Sequence, residues 1–286
     1  MTGIAGGYDI DVQDVEYLKH GDRPLLARVY KPRGTGPFPL IVDVHGGAWC
    51  RKDRTTDVAT DEALARSGAV AVALDFRMPP EAKYPASLMD INYAVRWCKA
   101  HAEEFGSRSD KVALLGVSSG GHQALLTAMR PTDARYSAIP LPEAPNVDAS
   151  VPCLALCWPV VDPLKRYFQA QQLQRDGNKF GEQWVAAHRA FWADDAEMTE
   201  GNPKLALERG EPVRMPPILY LQGTADIAHP VVSRQEFIAS YRKAGGRVEL
   251  HLFEGMSEAF ITTHPTAPES VTAIEKIVEF VHRELA

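Results

Sequence analysis

The residues best suited to chemistry are 116–120, a Gly-x-Ser-x-Gly pattern centred on Ser118. An apolar run (111–115) precedes the pattern and helical periodicity follows it, which predicts a sharp strand-to-helix turn. Gly116 and Gly120 leave room for a strained backbone there. The pattern predicts a nucleophilic Ser118, and the N–H of Ser119 at the helix start is suited to bind an oxyanion. A plain turn uses the same residue types, so the pattern alone leaves a structural role open.

Two adjacent glycines, Gly46 and Gly47, follow the short apolar run 40–44, which is typical of a strand covered on both faces. Paired glycines let backbone N–H groups turn toward an incoming oxygen. We therefore predict an oxyanion hole formed by the N–H groups of Gly46, Gly47 and Ser119, with Ala48 as an alternative donor to Gly46. His45 at the start of this loop is expected to hold the turn by a hydrogen bond.

The flanking pattern alternates strands and helices, which predicts an α/β fold with a mostly parallel central sheet flanked by helices. Segments 12–18 and 25–30 alternate apolar and polar residues around a Gly-containing turn, which indicates an antiparallel hairpin at the sheet edge. Asp226 follows a late apolar run (218–221), where it could orient a base or simply cap the turn.

Residues 164–214 interrupt the alternation with a polar, helical composition. We interpret this segment as a cap-like insertion over the pocket within a single domain, 1–286, rather than as a second domain. Its aromatic residues are expected to be mainly core, with at least one in a position to contact substrate. These aromatic residues are Tyr167, Phe168, Trp184, Phe191 and Trp192.

Composition narrows the classes of function. The 286 residues are 45% hydrophobic and 24% charged with a net charge of −6, which favours one large core and small neutral substrates over nucleic acid or an anionic membrane. Residues 1–9 lack the features of a signal peptide, and no apolar run is long enough to span a bilayer, so a cytoplasmic protein is expected. The four cysteines and nine histidines lack metal-ligand spacing, and no cofactor is predicted. The sequence leaves open whether the protein forms a homodimer.

The linked motifs resemble the α/β-hydrolase fold over nearly the whole chain, and within it the carboxylesterases of the hormone-sensitive-lipase group. The segment 75–80, Asp-Phe-Arg-Met-Pro-Pro, is similar to that group's Asp-Tyr-Arg-Leu-Ala-Pro. The resemblance implies Ser118 as nucleophile, Gly46, Gly47 and Ser119 as oxyanion donors, and Asp226 as the acid of a triad.

One position departs from the family pattern. The family places its base histidine in an aromatic-x-Gly-x-x-His-x-Phe loop, and the corresponding segment 253–260 has Glu258 there. We expect Glu258 to face Asp226, where two carboxyl groups would share a proton and leave a poor general base with a raised pKa. His264, six residues further on, and His229, three after Asp226, are alternative bases.

Two functions follow from this site. The first is hydrolysis of a small carboxylic ester through an acyl-enzyme on Ser118, with an atypical or impaired base. The second is a non-hydrolytic protein, either a ligand receptor or a lyase, that has lost the base histidine. Plant gibberellin receptors, which resemble the same esterases and lack that histidine, are the precedent.

Overall fold

The computed structural model describes residues 7–286, which fold around an eight-stranded sheet. The expectation that the chain starts without a signal peptide concerns mainly residues 1–6, which lie outside the described residues. The strands are β1 (Ile10–His20), β2 (Arg23–Pro32), β3 (Leu40–Val44), β4 (Val70–Leu74), β5 (Val112–Val117), β6 (Leu154–Cys157), β7 (Ile218–Gly223) and β8 (Val248–Phe253).

The sheet has the order β1-β2-β4-β3-β5-β6-β7-β8. β1 and β2 form the predicted hairpin, β2 pairs antiparallel with β4, and all remaining neighbours are parallel. Gly21 has a φ of 59° in the turn between β1 and β2, a conformation that glycine adopts without strain. The prediction of a mostly parallel α/β sheet is confirmed.

The α-helices are α1 (Val58–Arg66), α2 (Ala86–Ala100), α3 (Ser119–Met129), α4 (Pro163–Arg175), α5 (Lys179–Phe191), α6 (Asp195–Glu200), α7 (Pro203–Glu208), α8 (Val231–Lys243), α9 (Phe260–Thr263) and α10 (Pro268–Glu284). Helices α4 to α7 lie in the segment predicted as an insertion, between β6 and β7. Helix α3 begins at Ser119, the helix start that the sequence predicts. Gly120 and Gly121 lie in its first turn. Helix α3 packs closely there, since a Cβ on Gly121 would come within 2.8 Å of Pro159.

Both faces of the central strands are buried, which explains their nearly continuous apolar sequence; Asp43 of β3 is a buried exception. Along β3, Val42 packs into the hydrophobic cluster on one face of the sheet, whereas Ile41 packs into the cluster on the other. The parallel strands β3, β5, β7 and β8 all end at the same edge, where ligands of open α/β sheets bind. No helix in residues 7–286 combines the length and apolarity needed to cross a bilayer.

Candidate active site

Ser118 lies between the end of β5 and the start of α3 in a strained backbone conformation, with φ 54° and ψ −116°. Its N–H donates to the carbonyl of Cys157 at 2.9 Å, and its own carbonyl accepts from the N–H of Val160 at 3.2 Å. A Cβ on Gly120 would overlap the carbonyl oxygen of Val44, so only glycine allows α3 to approach β3 so closely. These contacts hold a strained residue in place, a feature that clusters at functional sites.

Asp226 and His229 lie in the loop that joins β7 to α8. His229 Nδ1 lies 2.8 Å from Asp226 Oδ2, and the backbone N–H groups of Ala228 and His229 donate to Asp226 Oδ1 at 2.7 and 3.2 Å. Because an ionised carboxylate only accepts hydrogen bonds, Nδ1 donates to Asp226, and Nε2 is the nitrogen that lies toward Ser118. Burial raises the pKa of Asp226, but His229 and the hydrogen bonds outweigh burial, so that the pKa lies below its usual value.

The hydroxyl of Ser118 has two acceptors within reach. It donates to Glu258 Oε1 at 2.9 Å, and His229 Nε2 lies 3.5 Å from the same oxygen. Glu258 comes from the loop between β8 and α9 and precedes Ala259, whose φ is 63°. One hydroxyl proton serves one acceptor at a time, so the carboxylate and the imidazole compete for it.

The predicted site residues are only partly brought together. Ser118, Glu258 and His229 meet, but Asp226 pairs with His229 instead of with Glu258. The expectation that Asp226 and Glu258 share a proton is therefore wrong, because the imidazole of His229 lies against Asp226 and hydrogen-bonds to its Oδ2. His264 is exposed at the end of α9, and no hydrogen bond in residues 7–286 links its ring to Ser118.

The loop of Gly46 and Gly47 packs directly against the turn at Ser118. Gly47 has a φ of 113°, and a Cβ on Gly46 would come within 3.0 Å of the Val117 carbonyl oxygen. The N–H of Trp49 donates to Ser119 Oγ at 3.0 Å, which ties this loop to α3. Within the described chain, no hydrogen bond outside the regular helices and strands uses the N–H of Gly46, Gly47 or Ser119. These donors are therefore free to bind an oxygen.

His45 has a structural role in this loop, as expected. Its Nδ1 lies 2.7 Å from the carbonyl oxygen of Gly46, and its ring stacks on Phe76 with centroids 4.4 Å apart. Burial lowers the pKa of His45 to about 4, so the ring is neutral at pH 7.

A cavity of about 180 Å³ opens beside Ser118. Trp184 of α5 and Arg166 of α4 line it from the inserted segment, and Glu258 lines it from the other side. Sequence reasoning named Trp184 among the candidate contacts but missed Arg166, whose neighbours become apparent only when α4 is packed. No group of His, Cys, Asp and Glu side chains in residues 7–286 is arranged to hold a metal ion.

Comparison with known sequences identifies the family. Residues 28–237 match the model of the BD-FAE family. Esterase LipC of Mycobacterium tuberculosis is 28% identical over 281 residues, which cover 93% of this chain and 65% of LipC. The chain thus spans slightly less than two thirds of that relative, and it spans smaller shares of others, such as 38% of an arylesterase of Saccharolobus solfataricus.

Solved structures share the fold along almost the entire chain. A hyperthermophilic esterase from Pyrobaculum calidifontis superposes with a TM-score of 0.79 at 23% identity, covering 99% of this chain and 89% of its own. The propionate-bound esterase Est2 of Thermogutta terrifontis gives a TM-score of 0.73 at 25% identity. This superposition covers 97% of this chain and 94% of the Est2 chain. The chain belongs to the BD-FAE family and has the α/β-hydrolase fold of these esterases.

Proposed function

We propose that the protein is a serine carboxylesterase that hydrolyses small-molecule carboxylic esters through an acyl-enzyme on Ser118. The observation that carries the proposal is the chain of contacts from Ser118 Oγ to His229 Nε2 (3.5 Å) and from His229 Nδ1 to Asp226 Oδ2 (2.8 Å). A nucleophile, a base and an orienting carboxylate in this order are the arrangement that serine hydrolases use. The esterase relatives support the same reaction.

In the proposed mechanism, His229 Nε2 takes the proton of Ser118 as Oγ attacks the ester carbonyl. The N–H groups of Gly46, Gly47 and Ser119 stabilise the oxyanion, and the imidazolium then protonates the leaving alcohol. Water attacks the acyl-enzyme with the same imidazole as base and releases the acid. Asp226 keeps the ring in the productive tautomer throughout and stabilises its positive charge.

We assign the role of base to His229 and not to Glu258. Glu258 is the closer acceptor, but a carboxylate has no second nitrogen through which Asp226 could orient it. An imidazole accepts the serine proton and donates it again near neutral pH. A long contact between the nucleophile and its base is common before substrate binds. Glu258 then acts as a second acceptor that holds the hydroxyl between turnovers.

We further propose that segment 164–214 acts as a cap within one domain. Trp184 and Arg166 both come from this segment and line the cavity at Ser118. Their position above the carboxyl edge of the sheet supports a role in enclosing the substrate. The buried rings of Phe191 and Trp192 behind them pack on Trp49 and Tyr84 of the main fold, which supports a single domain.

The test is hydrolysis of short-chain 4-nitrophenyl esters by the wild type and by Ser118→Ala. Loss of turnover in Ser118→Ala, but not in the control Ser257→Ala with its exposed hydroxyl, supports the proposal. A fluorophosphonate probe should label Ser118, because labelling requires an activated serine. Equal rates in wild type and Ser118→Ala, with no labelling, would favour the ligand-binding or lyase-type alternative.

A further inference from the structure

Arg166 of α4 is a buried cation that ester hydrolysis itself does not require. It is 2% exposed and lines the same cavity as Ser118. Arginine is among the residues that are almost never buried to this extent without a partner of opposite charge. Its presence beside the nucleophile therefore needs an explanation.

The guanidinium has few partners in the protein. Its Nε donates to the carbonyl of Ala228 at 3.0 Å, and the group lies 5.2 Å from the ring centroid of Trp184 and 5.6 Å from that of Trp49. Nη1 is buried without a hydrogen-bond partner, and Arg166 forms no ion pair with any residue in 7–286. A guanidinium has five N–H donors, and burying them unpaired is costly. Neither terminal nitrogen of Arg166 makes a hydrogen bond within residues 7–286.

The nearest carboxylates are engaged with other groups. Glu258 accepts from Ser118, and Asp226 accepts from His229, although both act on Arg166 through space. Burial lowers the pKa of Arg166, but a guanidinium remains charged at neutral pH. The exposed side chains of Arg51 and Lys52 add positive charge at the rim of the cavity.

We propose that Arg166 binds a carboxylate of the substrate, so that the preferred substrates are esters carrying one free carboxylate. The inference rests on the proposed esterase function and names its substrate class. A planar guanidinium can donate two parallel hydrogen bonds to a carboxylate. The cavity of about 180 Å³ restricts such a substrate to a short chain. The acidic composition of the whole chain favours neutral substrates, whereas the lining of this cavity has three cationic side chains against the one carboxylate of Glu258 and so favours an anion.

Two matched pairs of esters test the proposal and separate the two positions a carboxylate could take. The first pair compares 4-nitrophenyl hemiglutarate, which carries a carboxylate on its acyl chain, with the neutral 4-nitrophenyl valerate. The second pair compares 4-acetoxybenzoate, which carries the carboxylate on its alcohol part, with the neutral 4-tolyl acetate. We expect the wild type to prefer the anionic member by about tenfold in kcat/KM in at least one pair, the size expected for a charge-assisted hydrogen bond.

Variants assign the preference to Arg166. Arg166→Met should reduce the anionic-to-neutral ratio of kcat/KM to one or less, and Arg166→Lys should retain part of it. Arg175→Met, the same substitution at an exposed position of α4, should leave the ratio unchanged. A wild-type ratio near one in both pairs would overturn the proposal. An unchanged preference in Arg166→Met, or in Arg166→Lys if the methionine variant does not fold, would also overturn it.

A binding measurement separates this proposal from esterase function. Calorimetry with glutarate uses Ser118→Ala, which cannot turn over substrate, and the same variant carrying Arg166→Lys. Weaker binding in the double variant supports the anion site even if no ester is hydrolysed. Conversely, hydrolysis of the neutral esters without any glutarate binding would refute the anion site and leave the esterase function standing.

Discussion

Glu258→Gln is expected to raise esterase activity about fivefold. The Ser118 hydroxyl lies 2.9 Å from the carboxylate and 3.5 Å from His229 Nε2, so it must leave Glu258 before the imidazole can take its proton. A hydrogen bond to a charged acceptor contributes about 1.5–3 kcal/mol and a neutral one about 0.5–1.5 kcal/mol. The glutamine amide thus lowers the cost of releasing the hydroxyl by about 1 kcal/mol, which corresponds to about fivefold in rate.

The assay is kcat/KM for 4-nitrophenyl butyrate at pH 7.5, with Glu254→Gln as the control. Glu254 is exposed in the same loop between β8 and α9, so its substitution removes the same charge without touching the hydroxyl. We expect Glu254→Gln to match the wild type. If Glu258→Gln loses activity to the level of His229→Ala, the carboxylate takes the serine proton, and the reasoning from the two distances is refuted.

Three further changes probe the site and its supports. Asp226→Asn should lower kcat by about 10⁴-fold, because an amide no longer fixes the imidazole tautomer, and should also lower the thermal midpoint, because both carboxylate oxygens accept hydrogen bonds that an NH2 group cannot accept; full activity would contradict this role. Gly120→Ala should lower the free energy of unfolding by about 1–3 kcal/mol, and with it the urea midpoint, because the new Cβ overlaps the Val44 carbonyl oxygen. An unchanged urea midpoint would contradict this prediction. Burial raises the pKa of Asp61 in the fold, so its contribution to stability is lost as pH rises through that pKa. From about pH 4 upward, the thermal midpoint of Asp61→Asn should therefore rise relative to that of the wild type, whereas the exposed control Asp22→Asn should show no such trend.

The sequence predicted those parts of the fold that local pattern determines. Strand β3 has the predicted bounds 40–44, because a run buried on both faces is apolar almost throughout, here with the exception of Asp43, and glycines follow it after His45. The turn at Ser118 followed from Gly116 and Gly120, which both pack too closely to carry a side chain. Helix α3 begins at Ser119 as predicted, although the glycines of its first turn resemble loop residues until their packing is known.

The pairing of the acid and the base could not be predicted in this way. Motif register put Glu258 at the base position, and its carboxylate lies 2.9 Å from the Ser118 hydroxyl, but register gave no reason to prefer His229. The preference arises from the loop after β7, where Asp226 Oδ1 accepts two backbone N–H groups and the fold of the loop carries the imidazole onto Oδ2. Similarly, the position of Arg166 depends on how α4 packs over the sheet, and residue spacing along the sequence does not predict that packing.

The central claim is that His229 is the base for Ser118, and the kcat/KM of His229→Ala with 4-nitrophenyl butyrate tests it most directly. We expect this variant to fall by about 10⁴-fold, to the level of Ser118→Ala, because both belong to one proton-transfer unit. His264→Ala, which removes the other candidate imidazole, should stay within twofold of the wild type. Retention of more than a tenth of the wild-type rate by His229→Ala would contradict the account.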